Sequence, residues 1–259
     1  MNIIKVLTGL LFYCSMAMSQ PGSYTVANAH AHNDYENAIP FYMAYDERFG
    51  SIEADIFLEN GELFVAHDTK EILLRRSLEQ YYLDPLIAAT QRNNGFPYPD
   101  SSRQLQMLID IKTDAFQTIK MLITTLEKFP MLISNPKIIW VITGNRPDQN
   151  QFISYPPFIS FDGELSKEYS KESLTRIALF SDNFRNYSRW NGQGSISSKE
   201  EAILKTAIHK SHQLLKPVRF WNAPDDLNAW EQFMRLKVDY INTDHITELS
   251  FFLKAQPAR

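Results

Sequence analysis

The chain has 259 residues, 44% of them hydrophobic, and a formal net charge of -4 at pH 7. That length suits one sizeable core better than two, and it permits a strand-helix barrel, which needs about 250 residues, without selecting it. The charge balance excludes a general nucleic-acid surface but leaves room for a small basic phosphate pocket.

Residues 1–19 read as a signal peptide. Lys5 supplies a positive start, Val6 to Met18 is largely apolar, and Ala17-Met18-Ser19 puts small residues at alternate positions, so cleavage is expected after Ser19. The apolar stretch is short for a hydrocarbon core of about 30 Å, and the most apolar later run, Ile138 to Ile142, is shorter still. An exported, periplasmic or extracellular protein is expected. Cys14, the sole cysteine, lies inside this segment, where the bulky Tyr13 argues against lipid attachment. The mature chain would then have neither a disulfide nor a thiolate nucleophile.

From Gln20 to Arg259 the sequence reads as one domain. Short apolar runs, each followed by a helical stretch, recur at Tyr24–Ala29, Ser51–Phe57, Leu105–Ile111, Lys137–Ile142, Phe158–Phe161, Arg176–Phe180, Val218–Trp221 and Tyr240–Asn242. Eight such runs suit a (β/α)8 barrel, although an open α/β sheet explains the same alternation. Glu62–Ala66 is a further strand, joined to Ser51–Phe57 through Asn60-Gly61, a step that favours a tight antiparallel hairpin. Thr69 to Arg103, with Pro85, Pro97 and Pro99, reads as a long excursion above the barrel mouth. Asp114–Phe129 is amphipathic, with Phe116, Ile119, Leu122, Ile123 and Leu126 on one stripe. Ser198–Leu215 opens with a capping box that places Glu201 at its third position.

Polar residues gather at the ends of the first strands, in Ala29-His30-Ala31-His32-Asn33-Asp34-Tyr35, Ile52-Glu53-Ala54-Asp55-Ile56, Val65-Ala66-His67-Asp68 and Leu108-Ile109-Asp110-Ile111-Lys112. In a barrel that end opens into the active site. Residues two apart on a strand share a face, so Glu53 with Asp55, and Asp110 with Lys112, each point one way, as do His30 and His32 if the first strand extends so far. Converging carboxylates on an inward face demand compensation. Glu53, Asp55, Asp110 and Asn33 would give oxygen ligands to a hard cation, Mg²⁺ or Ca²⁺. A purely electrostatic network, with Lys112 on Asp110 and Glu53 on a histidine, is the alternative.

This ordered set resembles the PLC-like phosphodiesterase superfamily, which joins phosphatidylinositol-specific phospholipases C and glycerophosphodiester phosphodiesterases, in the branch with the His-Asn-Asp-Tyr signature. The motifs run from Ala29 to Lys112, with weaker likeness at Trp221-Asn222-Ala223-Pro224 and Asn242-Thr243-Asp244-His245. The resemblance implies a metal-dependent phosphoric diester hydrolase or lyase on a (β/α)8 barrel, acting on a glycerophosphodiester, phosphoinositide or related headgroup. It implies Glu53, Asp55 and Asp110 as metal ligands, Lys112 as a phosphate contact or carboxylate-orienting group, and His67 as general acid. The general base is His32 if the alignment follows His-Asn, or His30 if it follows Ala-His. Two motifs depart from the glycerophosphodiesterase pattern: His-Arg-Gly becomes His30-Ala31-His32, and Pro-Glu-Asn becomes Tyr35-Glu36-Asn37. The arginine expected at phosphate is missing there, which leaves a second reading, a non-catalytic barrel binding a phosphorylated sugar or polymer at the cell envelope.

Other polar residues carry weaker expectations. His209 and His212 are expected on a helix surface, and Asp162, Asp244 and His245 in structural roles. Trp221 reads equally as core or as a substrate-stacking ring. Asn145-Arg146 reads as a loop anchor or a phosphate contact.

Overall fold

A computed structural model describes residues 21–256. The expected signal peptide and Cys14 lie outside the described residues. The strands are β1 Ala29–Ala31, β2 Ser51–Glu59, β3 Glu62–Val65, β4 Leu105–Ile111, β5 Ile138–Gly144, β6 Ile159–Gly163, β7 Ile177–Asn183, β8 Val218–Trp221 and β9 Ile241–Thr243. The helices are α1 Tyr42–Asp46, α2 Asp84–Arg92, α3 Ala115–Leu126, α4 Pro130–Ile133, α5 Lys171–Thr175, α6 Ser198–Gln213, α7 Leu227–Leu236 and α8 Ile246–Lys254.

The strand order is β8-β7-β6-β5-β4-β2-β1-β9, all parallel. A parallel bridge between Arg219 and Tyr240 brings β8 to β9 and closes the ring. Closure decides between the two architectures that alternation allowed: this is a (β/α)8 barrel. The Asn60-Gly61 hairpin forms as its turn chemistry requires, with both residues at positive φ and β3 antiparallel to β2 outside the ring.

Strand alternation separates two interiors. Ile52, Ala54, Ile56, Met107, Ile109 and Ile111 face outward into the layer beneath the helices. Inside the ring, Leu108, Val141 and Leu179 form a small apolar plug. Around the plug the inward positions are polar: Gln106 Nε2 donates to Ser51 Oγ at 2.8 Å, and that oxygen lies 2.7 Å from His30 Nδ1.

Several local expectations give way to the structure. The first strand begins at Ala29 rather than Tyr24, because Thr25 and Asn28 cap each other around a 3-10 turn at Val26–Asn28. The Thr69–Arg103 excursion carries secondary structure of its own. It holds α2, with Leu86, Ala89 and Thr90 buried, which continues directly from a π-helical turn at Glu79–Leu83, and Pro85, with no N–H to donate, sits at the junction of the two. On α3 the buried stripe includes Thr118 and Thr125, while Phe116 in the first turn is exposed. The α6 cap is one residue earlier than expected. Ser197 accepts from Glu200 N and donates to Glu200 Oε2, which frees Glu201 to clamp Arg235. His212 is not a surface residue, since its Nε2 lies 2.8 Å from Asp239 Oδ2. No helix among the described residues is long and apolar enough to cross a membrane.

Candidate active site

Strand register assembles the site. Glu53 and Asp55 share the inward face of β2, and Asp55 stands directly across from Asp110 on β4. One oxygen from each of Glu53, Asp55 and Asp110 lies within 4.8 Å of the others. Gly144 on β5 makes room for them, because a Cβ there would sit 2.0 Å from Asp110 Oδ1.

The electrostatics show what this cluster lacks. Lys112 Nζ bridges Asp55 Oδ2 at 2.7 Å and Asp110 Oδ2 at 2.9 Å. Burial alone would lower its ammonium, but the two carboxylates outweigh burial and hold it charged. Glu53 has Arg219, at 2.6 Å. Even so, Asp55 is pushed up to about 7 by burial and by Glu53 and Asp110. Asp55 Oδ1 and Asp110 Oδ1 are both buried without a hydrogen-bond partner. Orphaned, buried carboxylate oxygens within one cluster are costly unless a cation answers them. The donor set is all oxygen and fits a hard divalent ion. The purely electrostatic network is present too, but it leaves these two oxygens unanswered.

The two first-strand histidines part company. His30 is fully buried in the barrel interior, with Nε2 2.7 Å from Glu53 Oε2 and the Arg219 guanidinium against it. Burial and the charge of Arg219 push its pKa down to about 3, against the opposing pull of Glu53. His32 instead lines the open cavity, with Nδ1 2.7 Å from Asp244 Oδ1 at the end of β9. Burial would lower its pKa, but the Asp244 bond outweighs burial and raises it.

The hairpin brings His67 back over the carboxylates, as Ala66 N donates to Asp55 O at 3.2 Å. Its Nδ1 lies 3.1 Å from the Tyr35 hydroxyl, which also lies 2.8 Å from Asp55 Oδ2 and 3.1 Å from Asn33 Oδ1. A phenol has one proton, and the shortest contact, to Asp55, is its natural acceptor. The phenol oxygen can then accept from His67 Nδ1–H. Asn33, at φ 45°, occupies a left-handed position that asparagine tolerates, and it lines the cavity beside His32.

A cavity of about 570 Å³ is lined by His32, Asn33, Glu53, His67, Asp110 and Lys112, and also by Arg146, Asp162, Asn183, Arg219 and Trp221. Trp221 stands at the rim with 39% of its surface exposed, so it is not core. Arg146 is anchored by its guanidinium on Asp162 O and Glu164 Oε1 yet still faces the cavity. Asp244 orients a cavity histidine, while Asp225 takes the Asp244 N–H and the Thr243 hydroxyl.

Arg219 and Tyr35 are the residues that sequence reasoning missed. A signal existed for the first: Val218-Arg219-Phe220 puts one charge between two apolar residues in an expected strand, so alternation aims it inward. A guanidinium thus reaches the cavity lining from the seventh strand of the ring, held by Glu53 and Asn242.

Comparison with known proteins agrees with the geometry. Residues 23–131 match the AIM6-like phosphodiesterase domain, and residues 217–247 match the glycerophosphoryl diester phosphodiesterase family. The chain is 25% identical over 303 aligned positions to altered inheritance of mitochondria protein 6 of Kluyveromyces lactis, covering 88% of this chain and 72% of that one. The Eremothecium gossypii counterpart is 25% identical over 273 positions, covering 88% and 69%. Among solved structures, a glycerophosphodiester phosphodiesterase from Parabacteroides distasonis superposes with a TM-score of 0.57 at 15% identity, covering 88% of this chain and 98% of that one. A phosphodiesterase from Oleispira antarctica, in complex with the product sn-glycerol-3-phosphate, gives 0.55 at 10% identity, covering 88% and 96%.

Proposed function

We propose that this chain is a PLC-like phosphodiesterase that cleaves a phosphodiester of the glycerophosphodiester, phosphoinositide or related lipid-headgroup class. The carrying observation is the convergence of Glu53, Asp55 and Asp110 within 4.8 Å, beside a cavity that Glu53 and Asp110 line together with His32 and His67. Glu53, Asp55 and Asp110, with Asn33 beside them, would hold Mg²⁺ or Ca²⁺. When bound, the cation neutralises charge on a non-bridging phosphoryl oxygen and acidifies the attacking oxygen.

The chain's own groups do the rest. His32, held by Asp244 at Nδ1, is left with Nε2 free toward the cavity to take the proton of the attacking hydroxyl. His67, with Nδ1 on the Tyr35 oxygen, offers Nε2–H to the departing alkoxide. Arg219 and Lys112 place positive charge where the phosphoryl oxygens gain negative charge. Lys112 also fixes the spacing of Asp55 and Asp110. His30 takes no proton in this scheme. It is buried below the cavity and braces Glu53 and Arg219 from beneath. With more than half of the His67 side chain exposed, water can reach it, which favours full hydrolysis over release of a cyclic phosphate. The working location in this proposal is an exported compartment.

Glycerophosphodiesters, phosphatidylinositol, lysophospholipids and bis(p-nitrophenyl) phosphate should be offered to folded protein with Mg²⁺, with Ca²⁺ and with EDTA. Cation-dependent turnover of at least one is expected, and no turnover of any member defeats the proposal.

A further inference from the structure

Asp34 sits between two residues that reach the site, yet its own side chain does not line the cavity. Asn33 does line it, and the Tyr35 hydroxyl lies 2.8 Å from Asp55 Oδ2 and 3.1 Å from His67 Nδ1. Asp34 is fully buried. Its Oδ2 accepts from Phe41 N at 2.5 Å and from the Tyr82 hydroxyl at 2.9 Å. Its carbonyl accepts from Asn37 N and Asn37 Nδ2, both at 3.1 Å, which closes the turn that carries Tyr35.

Both partners of the carboxylate lie in unusual backbone. Phe41 has φ 64° and ψ -55°, in a γ-turn closed by Tyr42 N donating to Pro40 O at 2.8 Å, a form that is rare and strained. Tyr82 belongs to the π-helical turn Glu79–Leu83 of the excursion, is fully buried, and meets the Phe41 ring edge-on with centroids 6.3 Å apart. Strained backbone persists only where its surroundings over-determine it, and it gathers at sites whose geometry matters. Here one buried carboxylate answers a strained N–H and joins the first loop to a hydroxyl 48 residues away.

We propose that Asp34 is a positioning residue for the cation site: its carboxylate pins the loop of residues 33–41 to Tyr82, and so holds Asn33 and Tyr35 at the carboxylate cluster. It acts through its two neighbours in the chain. The assignment rests on the cation site of the phosphodiester reading, and it gives the excursion a task, anchoring the first loop.

Calorimetric titration with Mg²⁺ and with Ca²⁺, without substrate and on variants shown to be folded, tests it. The wild type should bind at least one of the two. Asp34→Ala should weaken that binding by about 10- to 100-fold, the range for groups that orient metal ligands. Asp34→Asn should restore most of it, because the amide oxygen still accepts from Phe41 N and Tyr82. Its nitrogen takes the place of Oδ1, which has no partner to lose. A role in stability alone would lower Tm and leave the affinity of the folded protein unmoved. Tyr82→Phe deletes one hydroxyl and serves if Asp34→Ala does not fold; it should weaken binding by about 2- to 10-fold, the worth of one hydrogen bond. Unchanged cation affinity in the folded Asp34→Ala protein, or in Tyr82→Phe where that variant stands in, overturns the positioning role and leaves the phosphodiester reading standing. An Asp34→Asn protein as weak as Asp34→Ala also overturns it. Wild type that binds neither cation overturns the inference, and if it also cleaves no diester the phosphodiester reading falls with it.

Discussion

Replacing Arg219 by Met removes a guanidinium that is 3% exposed and sits 2.6 Å from Glu53, itself 3% exposed. The same NH1 also donates to Asn242 Oδ1 at 3.1 Å, and Nε donates to Ser181 Oγ at 3.1 Å. Breaking one side of a buried ion pair costs about 3–5 kcal/mol, because the surviving charge is stranded. At this chain length each kcal/mol moves Tm by about 2–4 °C, so thermal unfolding in EDTA should show a drop of about 6–20 °C. The carboxylate cluster then makes a second, independent demand. With Arg219 gone, His30 and a bound divalent cation are left to answer Glu53, so adding Mg²⁺ or Ca²⁺ should raise Tm more in Arg219→Met than in wild type. Calorimetric or fluorimetric melts across a cation titration measure both effects without any substrate. A drop below about 2 °C in EDTA, or equal cation shifts in the two proteins, would refute the reasoning.

The other expectations concern named groups. His67→Ala should lose about 10²–10⁴-fold in rate on a diester with a poor leaving group and much less on a p-nitrophenyl ester, whose leaving group departs without a proton; equal losses on both would remove His67 from the acid role. Asp244→Asn should slow both substrates by weakening the hold on His32 Nδ1, and the same change in a His32→Ala background should add little further loss. Asp162→Asn bears on stability. Burial pushes the Asp162 carboxyl up to about 6, held back by Arg146, Arg219 and the hydroxyls of Thr143 and Ser181. A folded-state pKa above the unfolded value gives stability that is complete below pH 4 and lost as pH rises through 6, up to about 3 kcal/mol. Chemical denaturation at pH 4 and pH 7 should show the variant gaining on wild type between the two, and a constant difference would contradict this.

The strand positions, the hairpin and the three carboxylates were readable because their signals are local. β4 and β8 fall where apolar periodicity puts them, Asn60-Gly61 dictates its own turn, and a two-residue spacing commits Glu53 and Asp55 to one face. The edges of those elements were harder to read, because capping is a contest between adjacent polar residues. Thr25 caps a turn where the apolar run suggested strand, and Ser197 takes the cap that the capping-box pattern assigned to Ser198.

Ring closure itself, the different surroundings of His30 and His32, and the arrival of Arg219 were decided only in three dimensions. His30 and His32 carry the same side chain two residues apart. One meets Ser51, Glu53 and Arg219 in a solvent-free interior, while the other passes the strand end and meets Asp244, 212 residues away. Local sequence states which groups are available. The dielectric around each group, and the distant charge that answers it, are set by the closed barrel that joins β8 and β9 to the first strands.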